Sequence, residues 1–225
     1  MIKSGELVAG DRLPSVRQIA EDWNVAHATA SKVVRALSAE GVVTTLSGSG
    51  GTIVASAGYS PRDRVESGRR WGRIYPTGEF ARIVSAEVVP APDSVADALG
   101  LEPGAPVIRR HRITYLAEDR PVSCSTSWFD GALAEVAPLL LVAERIKEGT
   151  PAYIEQRTGR PIRAGRDQFT ATLADADVAQ ELQLPKGSAV LMGRNWFRDA
   201  AGDPIEYGVY YSNPDRWQTY EYSLA

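Results

Sequence analysis

The chain has 225 residues, of which 44% are hydrophobic and 24% are charged, and its formal net charge is −3 at pH 7. This length and composition allow one large or two modest domains with a packed core, and they argue against global disorder. No apolar run approaches the roughly 18 residues of a membrane span and no secretory leader is present, so we expect a cytoplasmic protein. The one cysteine, Cys124, cannot form an internal disulfide, and we expect a buried thiol.

The charges are unevenly distributed along the chain. Residues 1–56 carry five basic and five acidic groups, residues 57–73 carry five arginines and two acids, and residues 74–225 carry 15 basic and 21 acidic groups. Phosphate binding favours a basic surface, although the placement of single cations matters more than their sum. The stretch 56–73 is rich in Ser, Gly, Pro and charge, which predicts a linker. Its arginines are either a solvated hinge or additional phosphate contacts.

The first 55 residues have the pattern of two helices followed by a hairpin. Ser15 is suited to cap a first helix that ends near Asn24, a residue tolerated in a left-handed turn. A second helix is expected over about 28–40, and Gly41 ends it. Two β-branched runs flank the glycine-rich stretch 47–51, which predicts a hairpin with a flexible tip. The buried stripe of the second helix is expected to consist of Ala30, Val33, Val34 and Leu37.

This order of elements is the layout of a winged helix-turn-helix, which places one helix in the major groove of DNA. A winged helix normally begins with a further helix, and only residues 1–5 stand where the end of that helix belongs. We therefore expect the chain as given to lack the first helix or most of it. The domain is then expected to be under-packed.

The rest of the chain contains an internal duplication. Residues 99–107 align without a gap on residues 182–190, an offset of 83. Each unit predicts a short helix, a glycine turn, a strand, a hairpin and a second strand, with the helices at about 94–99 and 177–182. Two such units side by side predict an α+β domain with an antiparallel sheet, and a helix is expected over 150–157 between them. The same offset relates Pro121 to Pro204, Val122 to Ile205 and Trp128 to Tyr211.

Strand alternation assigns the polar side chains of this domain to faces of the sheet. Arg110 and Arg112 share a face, and two parallel arginines suit a bidentate clamp on a phosphate or carboxylate. The next strand carries alternate serines, which include Ser123 and Ser125, and the late strand carries Glu206 and Tyr210. These hydroxyls and this carboxylate suit an anionic ligand that carries hydroxyls. The alternative is a lattice of surface ion pairs across the strands. The candidate ligand-binding residues are Arg110, Arg112, Ser123, Ser125, Glu206 and Tyr210.

Both parts of the chain resemble one family. The pattern Gly-x-x-Leu-Pro-Ser-x-Arg at 10–17, together with the Gly-x-Gly of the wing, resembles the winged-helix domain of GntR-type bacterial regulators. Residues 70–225 resemble the effector domain of the HutC subgroup, called UTRA, which has a chorismate-lyase-like fold. The matching pieces are Leu-Gly-Leu-x-x-Gly-x-Pro-Val at 99–107, Arg-x-Arg at 110–112, Pro-Val at 121–122 and Pro-Ile-Glu-Tyr at 204–207.

The resemblance implies a homodimeric transcription factor, usually a repressor, that a small-molecule effector releases from double-stranded operator DNA. In this family a ligand-responsive loop lies at the position of Thr77. The family often has arginine at the positions of His27 and Ser31, and Lys32 and Arg35 are candidates to compensate for them. The candidate DNA-binding residues are Arg17, His27, Thr29, Lys32, Arg35, Gly48 and Gly50.

Three functions remain open at this point. The chain is a metabolite-responsive DNA-binding regulator, a ligand-independent dimeric DNA-binding protein, or a lyase-like enzyme. An enzyme needs an acid and a base in a cleft, and only Glu206 beside the arginines fits that description. The sequence has no metal-ligand spacing, nucleophile elbow or phosphate loop, so we expect a protein without enzyme activity, cofactor or metal. The expected domains are 1–55 for DNA binding and 74–225 for ligand binding and dimerisation.

Overall fold

The computed structural model describes residues 1–2, 6–7, 11–39, 42–45, 51–54, 65, 79–116 and 119–218. The chain divides into two compact units. The first contains the described residues up to 54 together with Glu79 and residues 215–218, and the second contains Val65 and residues 80–214. Glu79 and residues 215–218 therefore cluster with the first unit, although the sequence places them within the domain 74–225.

The first unit contains two helices and a small antiparallel sheet. The chain segment at residues 11–13 runs beside the last strand, where the Leu13 amide donates to the Thr52 carbonyl over 2.8 Å. The hairpin therefore has a third, short neighbour, as the wing of a winged helix does. The elements are α1 (Val16–Asp22), α2 (His27–Ala39), β1 (Val43–Thr45) and β2 (Thr52–Val54).

Local sequence signals explain the ends of these helices. The Gln18 amide donates to Ser15 Oγ over 3.2 Å, and the Ser15 amide donates to Gln18 Oε1 over 2.9 Å. This reciprocal pair is a capping box, which confirms Ser15 as the N-cap. Asn24 has a φ of 50°, so it takes the left-handed turn position that was expected. Helix α2 begins and ends one residue before its predicted limits, and Gly41 lies outside the described residues.

The predicted buried stripe of α2 is wrong at one position. Ala30 is fully buried, and Val34 and Leu37 are half-buried, but Val33 is 48% exposed. At 100° per residue Val33 lies about 60° around the helix from Ala30, on the flank away from Val34. Trp23, at the end of α1, is also 52% exposed. The described part of this unit thus has a narrower apolar seam than the sequence predicts.

The second unit is a six-stranded antiparallel sheet with helices on both faces, which confirms the predicted α+β class with an antiparallel sheet. The order of the strands is β3-β4-β5-β8-β7-β6, and every neighbouring pair is antiparallel. The strands are β3 (Phe80–Pro90), β4 (Pro106–Leu116), β5 (Arg120–Asp130), β6 (Ala164–Leu173), β7 (Ala189–Arg198) and β8 (Pro204–Ser212). The helices are α3 (Asp93–Leu99), α4 (Leu133–Val136), a 3₁₀ helix (Pro138–Leu141), α5 (Thr150–Thr158) and α6 (Ala176–Glu181).

The strand order is the structural form of the internal duplication. The unit β3-α3-β4-β5 is repeated as β6-α6-β7-β8, and the offset of 83 relates the starts of α3 and α6 and of β4 and β7. The repeat therefore includes a leading strand that the sequence did not reveal. The two units meet where β5 pairs with β8, and Thr126 there lies opposite Val209, its own equivalent at the same offset. A pseudo-two-fold axis thus passes between these two residues.

Helices α3 and α6 cover equivalent parts of one face of the sheet. Leu99 of α3 packs in a cluster with Val107 and Tyr207, and Leu182 of α6 packs in a cluster with Ile113 and Cys124. Cys124 is 2% exposed, which confirms the predicted buried thiol. Burial raises the pKa of this thiol far above its usual value, so the thiolate is disfavoured.

The opposite face is apolar at one end and polar beyond it. At the apolar end Ile108, Phe129 and Phe197 pack beneath the segment that includes Leu140 and Ile154. Helix α5 is the helix expected between the two repeats, with a proline in its first turn. Where this cover ends, the strands β4, β5, β7 and β8 carry Arg112, Ser125, Ser127, Asn195 and Glu206, a group that we call the polar cluster.

Candidate DNA interface and effector site

The expected DNA-contact side chains of the first unit are exposed to solvent. His27 begins α2, and Thr29, Lys32 and Arg35 follow on the same helix. Lys32 and Arg35 lie opposite the buried Ala30, so the two cations point away from the apolar seam. The outer surface of α2 therefore presents a hydroxyl, an imidazole and two cations without any acidic side chain.

Arg17 lies on the other helix of this unit. Its Nε is 3.3 Å from Glu21 Oε1, and both side chains are well exposed. An exposed pair at this spacing contributes little to stability, so the guanidinium is available for other contacts. The remaining candidate residues Gly48 and Gly50, and Thr77 of the proposed ligand-responsive loop, lie outside the described residues.

Arg110 is buried and bonded to a single chain segment. Its guanidinium donates to the carbonyls of Leu139, Leu140, Val142 and Glu144 over 2.5–3.0 Å, and the residue is only 5% exposed. Burial, and after it the charge of Arg112, lowers the pKa of Arg110 to about 10, so the side chain is still cationic at neutral pH. The geometry favours an anchor for residues 139–144, and its predicted contact with a ligand stays a prediction.

Arg112 is the half-buried member of the arginine pair. Its Nε donates to Ser125 Oγ over 2.7 Å, and its Nη2 lies 3.5 Å from Ser127 Oγ. Ser127 in turn donates to Glu206 Oε1 over 2.7 Å. The strand alternation predicted from the sequence thus brings a cation, two hydroxyls and a carboxylate onto one face. They form a chain of hydrogen bonds rather than a lattice of direct ion pairs.

Two glycines let side chains lie flat across this face. The ring of Tyr210 lies over Gly193, where a Cβ atom would fall inside the ring's van der Waals surface. In the same way the amide of Asn195 lies over Gly208. Ser123, the last of the candidate residues, is half-buried and pairs with Ser212 at the edge of the cluster.

Asn195 is a member of this cluster that sequence reasoning missed. It is 5% exposed, and it faces the same side as Arg112 because β7 and β4 occupy equivalent places in the two repeats. The signal that identifies it is the duplication itself, since the offset of 83 carries Arg112 onto Asn195. A single asparagine within a strand gives no other local sign of a ligand site.

The opposite face of the sheet carries a second polar group near the pseudo-two-fold axis. His111 Nε2 is 2.7 Å from Glu181 Oε1, and His111 Nδ1 is 2.8 Å from Thr126 Oγ1. Both ring nitrogens therefore have partners. Within the residues that the structure describes, no group of three or more His, Cys, Asp or Glu side chains is arranged to hold a metal ion. No helix in the same part of the chain is long and apolar enough to span a membrane.

Two known protein families match this chain, one for each unit. Residues 81–218 match the UTRA domain, and residues 1–53 match the bacterial regulatory proteins of the gntR family. The HTH-type transcriptional regulator GgaR of Escherichia coli is 28% identical over 221 residues, which cover 95% of this chain and 83% of that protein. The probable transcriptional regulator PhnF of Escherichia coli is 26% identical over 217 residues, which cover 92% of this chain and 84% of that protein.

Solved structures show the same fold. The crystal structure of PhnF from Mycobacterium smegmatis has a TM-score of 0.64 and 23% identity, and the match covers 98% of this chain and 95% of that chain. The ligand-binding domain of a GntR-family regulator from Bordetella bronchiseptica has a TM-score of 0.56 and 21% identity, over 67% of this chain and 94% of that chain. The chain belongs to the GntR family of bacterial transcriptional regulators, in the subgroup that combines a helix-turn-helix with a UTRA domain.

Proposed function

We propose that the chain is a homodimeric repressor that leaves its operator when a hydroxylated anionic metabolite binds the polar cluster. The observation that carries this proposal is the position of Arg112. Ser125 and Ser127 accept hydrogen bonds from its guanidinium, and Ser127 also donates to the buried carboxylate of Glu206. A cation already oriented by hydrogen bonds binds an anion with little further loss of side-chain entropy. Glu206 and the serines then match the hydroxyls of the same ligand.

The DNA-reading part of the proposal rests on α2. His27, Thr29, Lys32 and Arg35 are exposed on this helix, which supports their assignment as contacts to bases and phosphates. Two copies in a homodimer present two such helices, so the operator is expected to be palindromic with half-sites about one helical turn apart. A dimer also doubles the small number of phosphate contacts, which offsets the neutral charge of residues 1–56.

Ligand binding and DNA binding are coupled, in this proposal, by a shift of population. The ligand favours dimers whose two winged helices are spaced wrongly for the operator, and the segment 56–73 transmits the change. The ligand-independent alternative assigns the second unit to dimerisation only. The two proposals differ in one measurable quantity, the affinity for operator DNA in the presence of a ligand that binds tightly.

The DNA part is tested by selecting sites from a pool of random double-stranded DNA with the full chain, followed by gel-shift titration. We expect a palindromic consensus and an affinity that falls steeply with salt. Lys32→Ala and Arg35→Ala are each expected to weaken binding about tenfold. Lys186→Ala, which removes one exposed lysine from the second unit, is the matched control and is expected to leave binding unchanged.

The effector part is tested by repeating the titration with candidate anions. Arg112→Ala is expected to abolish ligand-induced release while operator binding without ligand is preserved. Arg163→Ala, which removes an exposed arginine of the same unit, is the control for lost charge. An anion that binds tightly but leaves operator affinity unchanged contradicts the coupling and favours the ligand-independent alternative.

A further inference from the structure

We infer that Asn195 is the specificity-determining residue of this effector site, and that it selects ligands with two adjacent hydroxyls. The inference rests on the proposed function, because it names the chemistry that the polar cluster recognises in addition to negative charge. It begins from a buried side-chain nitrogen, Asn195 Nδ2, that has no hydrogen-bond partner among the residues that the structure describes.

Asn195 is the unusual member of the cluster in its hydrogen bonding. The residue is 5% exposed, and its Nδ2 is buried without an acceptor among the described residues. A buried amide without a partner is costly, and such groups in native proteins call for an explanation in terms of a ligand, a water or a function. Its neighbours in the cluster differ, since a chain of hydrogen bonds connects Ser125, Arg112, Ser127 and Glu206.

The duplication explains why Asn195 has no side-chain partner on β8; on its other side Asp167 of β6 lies directly opposite, and Asn195 Nδ2 makes no hydrogen bond to it. Asn195 is the equivalent of Arg112, and Gly208 is the equivalent of Ser125 at the offset of 83. In the first repeat Ser125 accepts the hydrogen bond of Arg112. In the second repeat the glycine offers no side chain, and the amide of Asn195 lies over the bare backbone in that place. The second repeat therefore has a polar side chain at the position of Arg112. It has no side chain at the position of Ser125, which accepts the hydrogen bond of Arg112 in the first repeat.

The chemistry of a ligand that satisfies Asn195 follows from the groups around it, which include the carboxylates of Glu206 and Asp167. A side-chain amide both donates and accepts, and either orientation of the amide presents one donor edge and one acceptor edge. Glu206 lies diagonally across from Asn195 on the neighbouring strand, and Ser127 donates to only one of its carboxylate oxygens. One hydroxyl that donates to Glu206 and a neighbouring hydroxyl that bonds to Asn195 satisfy both groups together. A vicinal diol has this arrangement.

The test uses the full chain and four anions in calorimetric titrations. Gluconate and glucose 6-phosphate carry adjacent hydroxyls, whereas hexanoate and hexyl phosphate are the matched anions without them. We expect the wild-type chain to bind at least one polyol anion about tenfold more tightly than its alkyl counterpart. Asn195→Ala is expected to remove most of this preference, and Arg112→Ala is expected to weaken the binding of both members of a pair.

Two further variants separate recognition from a structural role. Asn195→Ala is expected to melt at or above the wild-type temperature, because it removes an unsatisfied amide. Asn213→Ala is expected to melt lower, because Asn213 Nδ2 donates to the Pro121 carbonyl over 3.0 Å. Gly208→Ser places a Cβ where the amide of Asn195 now lies and so displaces that amide, and we expect it to weaken polyol binding as Asn195→Ala does.

The outcomes distinguish this inference from the proposed function. Equal binding of polyol and alkyl anions, or an unchanged preference in Asn195→Ala, overturns the diol selection and leaves the effector site in place. A melting temperature of Asn195→Ala that falls as far as that of Asn213→Ala also overturns it, since the amide is then structural. Binding of none of the four anions contradicts the anionic effector itself and the inference with it.

Discussion

The two repeats of the second unit share a backbone but differ in the side chains that they place around the pseudo-two-fold axis. In the first repeat the cross-strand partners are Arg110 with Ser127 and Arg112 with Ser125. At the equivalent positions the second repeat pairs Gly193 with Tyr210 and Asn195 with Gly208. In both pairs of the first repeat the larger side chain lies on β4. In the Gly193–Tyr210 pair of the second repeat the larger side chain lies on β8, which is the equivalent of β5.

This exchange shows how a duplicated scaffold acquires an asymmetric site. A pair of large side chains facing each other across two strands is overpacked, and a pair of small ones leaves a gap, so each repeat keeps one of each. The choice of which strand carries the large residue is free. The large side chains are two arginines in the first repeat. In the second repeat they are the phenol of Tyr210 and the amide of Asn195, and Glu206 lies beside them.

The largest effect is expected when the first repeat loses its buried cation. Arg110→Ala leaves four carbonyls of residues 139–144 without their donor, and we expect the free energy of unfolding to fall by about 3 kcal/mol or more. Urea denaturation measures this. Arg109→Ala, on the opposite face of the same strand, is the control and is expected to cost far less. Similar losses in the two variants contradict the anchoring role of Arg110.

A smaller effect is expected at the equivalent position of the second repeat. Gly193→Ala introduces a Cβ into the space of the Tyr210 ring, and we expect a destabilisation of about 2 kcal/mol. The double variant Gly193→Ala with Tyr210→Ser imitates the smaller partner of the first repeat and is expected to recover part of the loss. Denaturation midpoints of four chains, the wild type, each single variant and the double variant, measure the coupling. Additive losses contradict the exchange of large and small residues.

The hairpins that close the two repeats are expected to differ in their response to acid. Asp199 accepts from Arg160 Nε over 2.7 Å and from the amides of Ala201 and Asp203 over 3.0 Å, whereas its equivalent in the first repeat is Leu116. The bond from Arg160 is the main cause of the lowered pKa of Asp199. A lowered pKa in the folded state gives stability that is present above the unfolded value and lost as pH falls through the folded value.

Asp199→Asn is accordingly expected to have a lower urea midpoint than the wild type at pH 7. The gap between the two chains is expected to narrow as pH falls below about 4, where the unfolded carboxyl is protonated. Asp203→Asn, which alters an exposed carboxyl of the same turn, is the control. A gap that is independent of pH contradicts a role for the ionised form of Asp199.

The smallest effect is expected from an ion pair that occurs in only one repeat. Arg109 Nη1 is 3.0 Å from Glu87 Oε1, and the equivalent positions in the second repeat are Met192 and Thr170. Both charged side chains are partly exposed, so we expect Glu87→Gln to change the free energy of unfolding by less than about 0.5 kcal/mol. A loss well above that value, measured in urea, shows that the edge strand β3 depends on this pair.

Patterns with a short period could be read directly from the chain. The N-cap at Ser15, the left-handed turn at Asn24 and the ends of α2 follow from residue preferences that act over one or two turns. The offset of 83 predicted the helix and the last two strands of each repeat. Strand alternation placed Arg112, Ser125 and Glu206 on one face, because the side-chain period of a strand is two.

The tertiary structure decided which of these polar groups are already satisfied. The partners of Arg110 are carbonyls in the segment 139–144, which lies 29 to 34 positions later in the chain. No local pattern indicates that contact. Val33 follows helical periodicity, yet it is exposed because burial depends on what packs against α2. The sequence by itself determined the duplication, the faces and the elements other than the leading strand of each repeat, because these features depend on local preference and period. The pairing of β7 with β8 set the amide of Asn195 over Gly208, and its Nδ2 has no acceptor in the part of the chain that the structure describes.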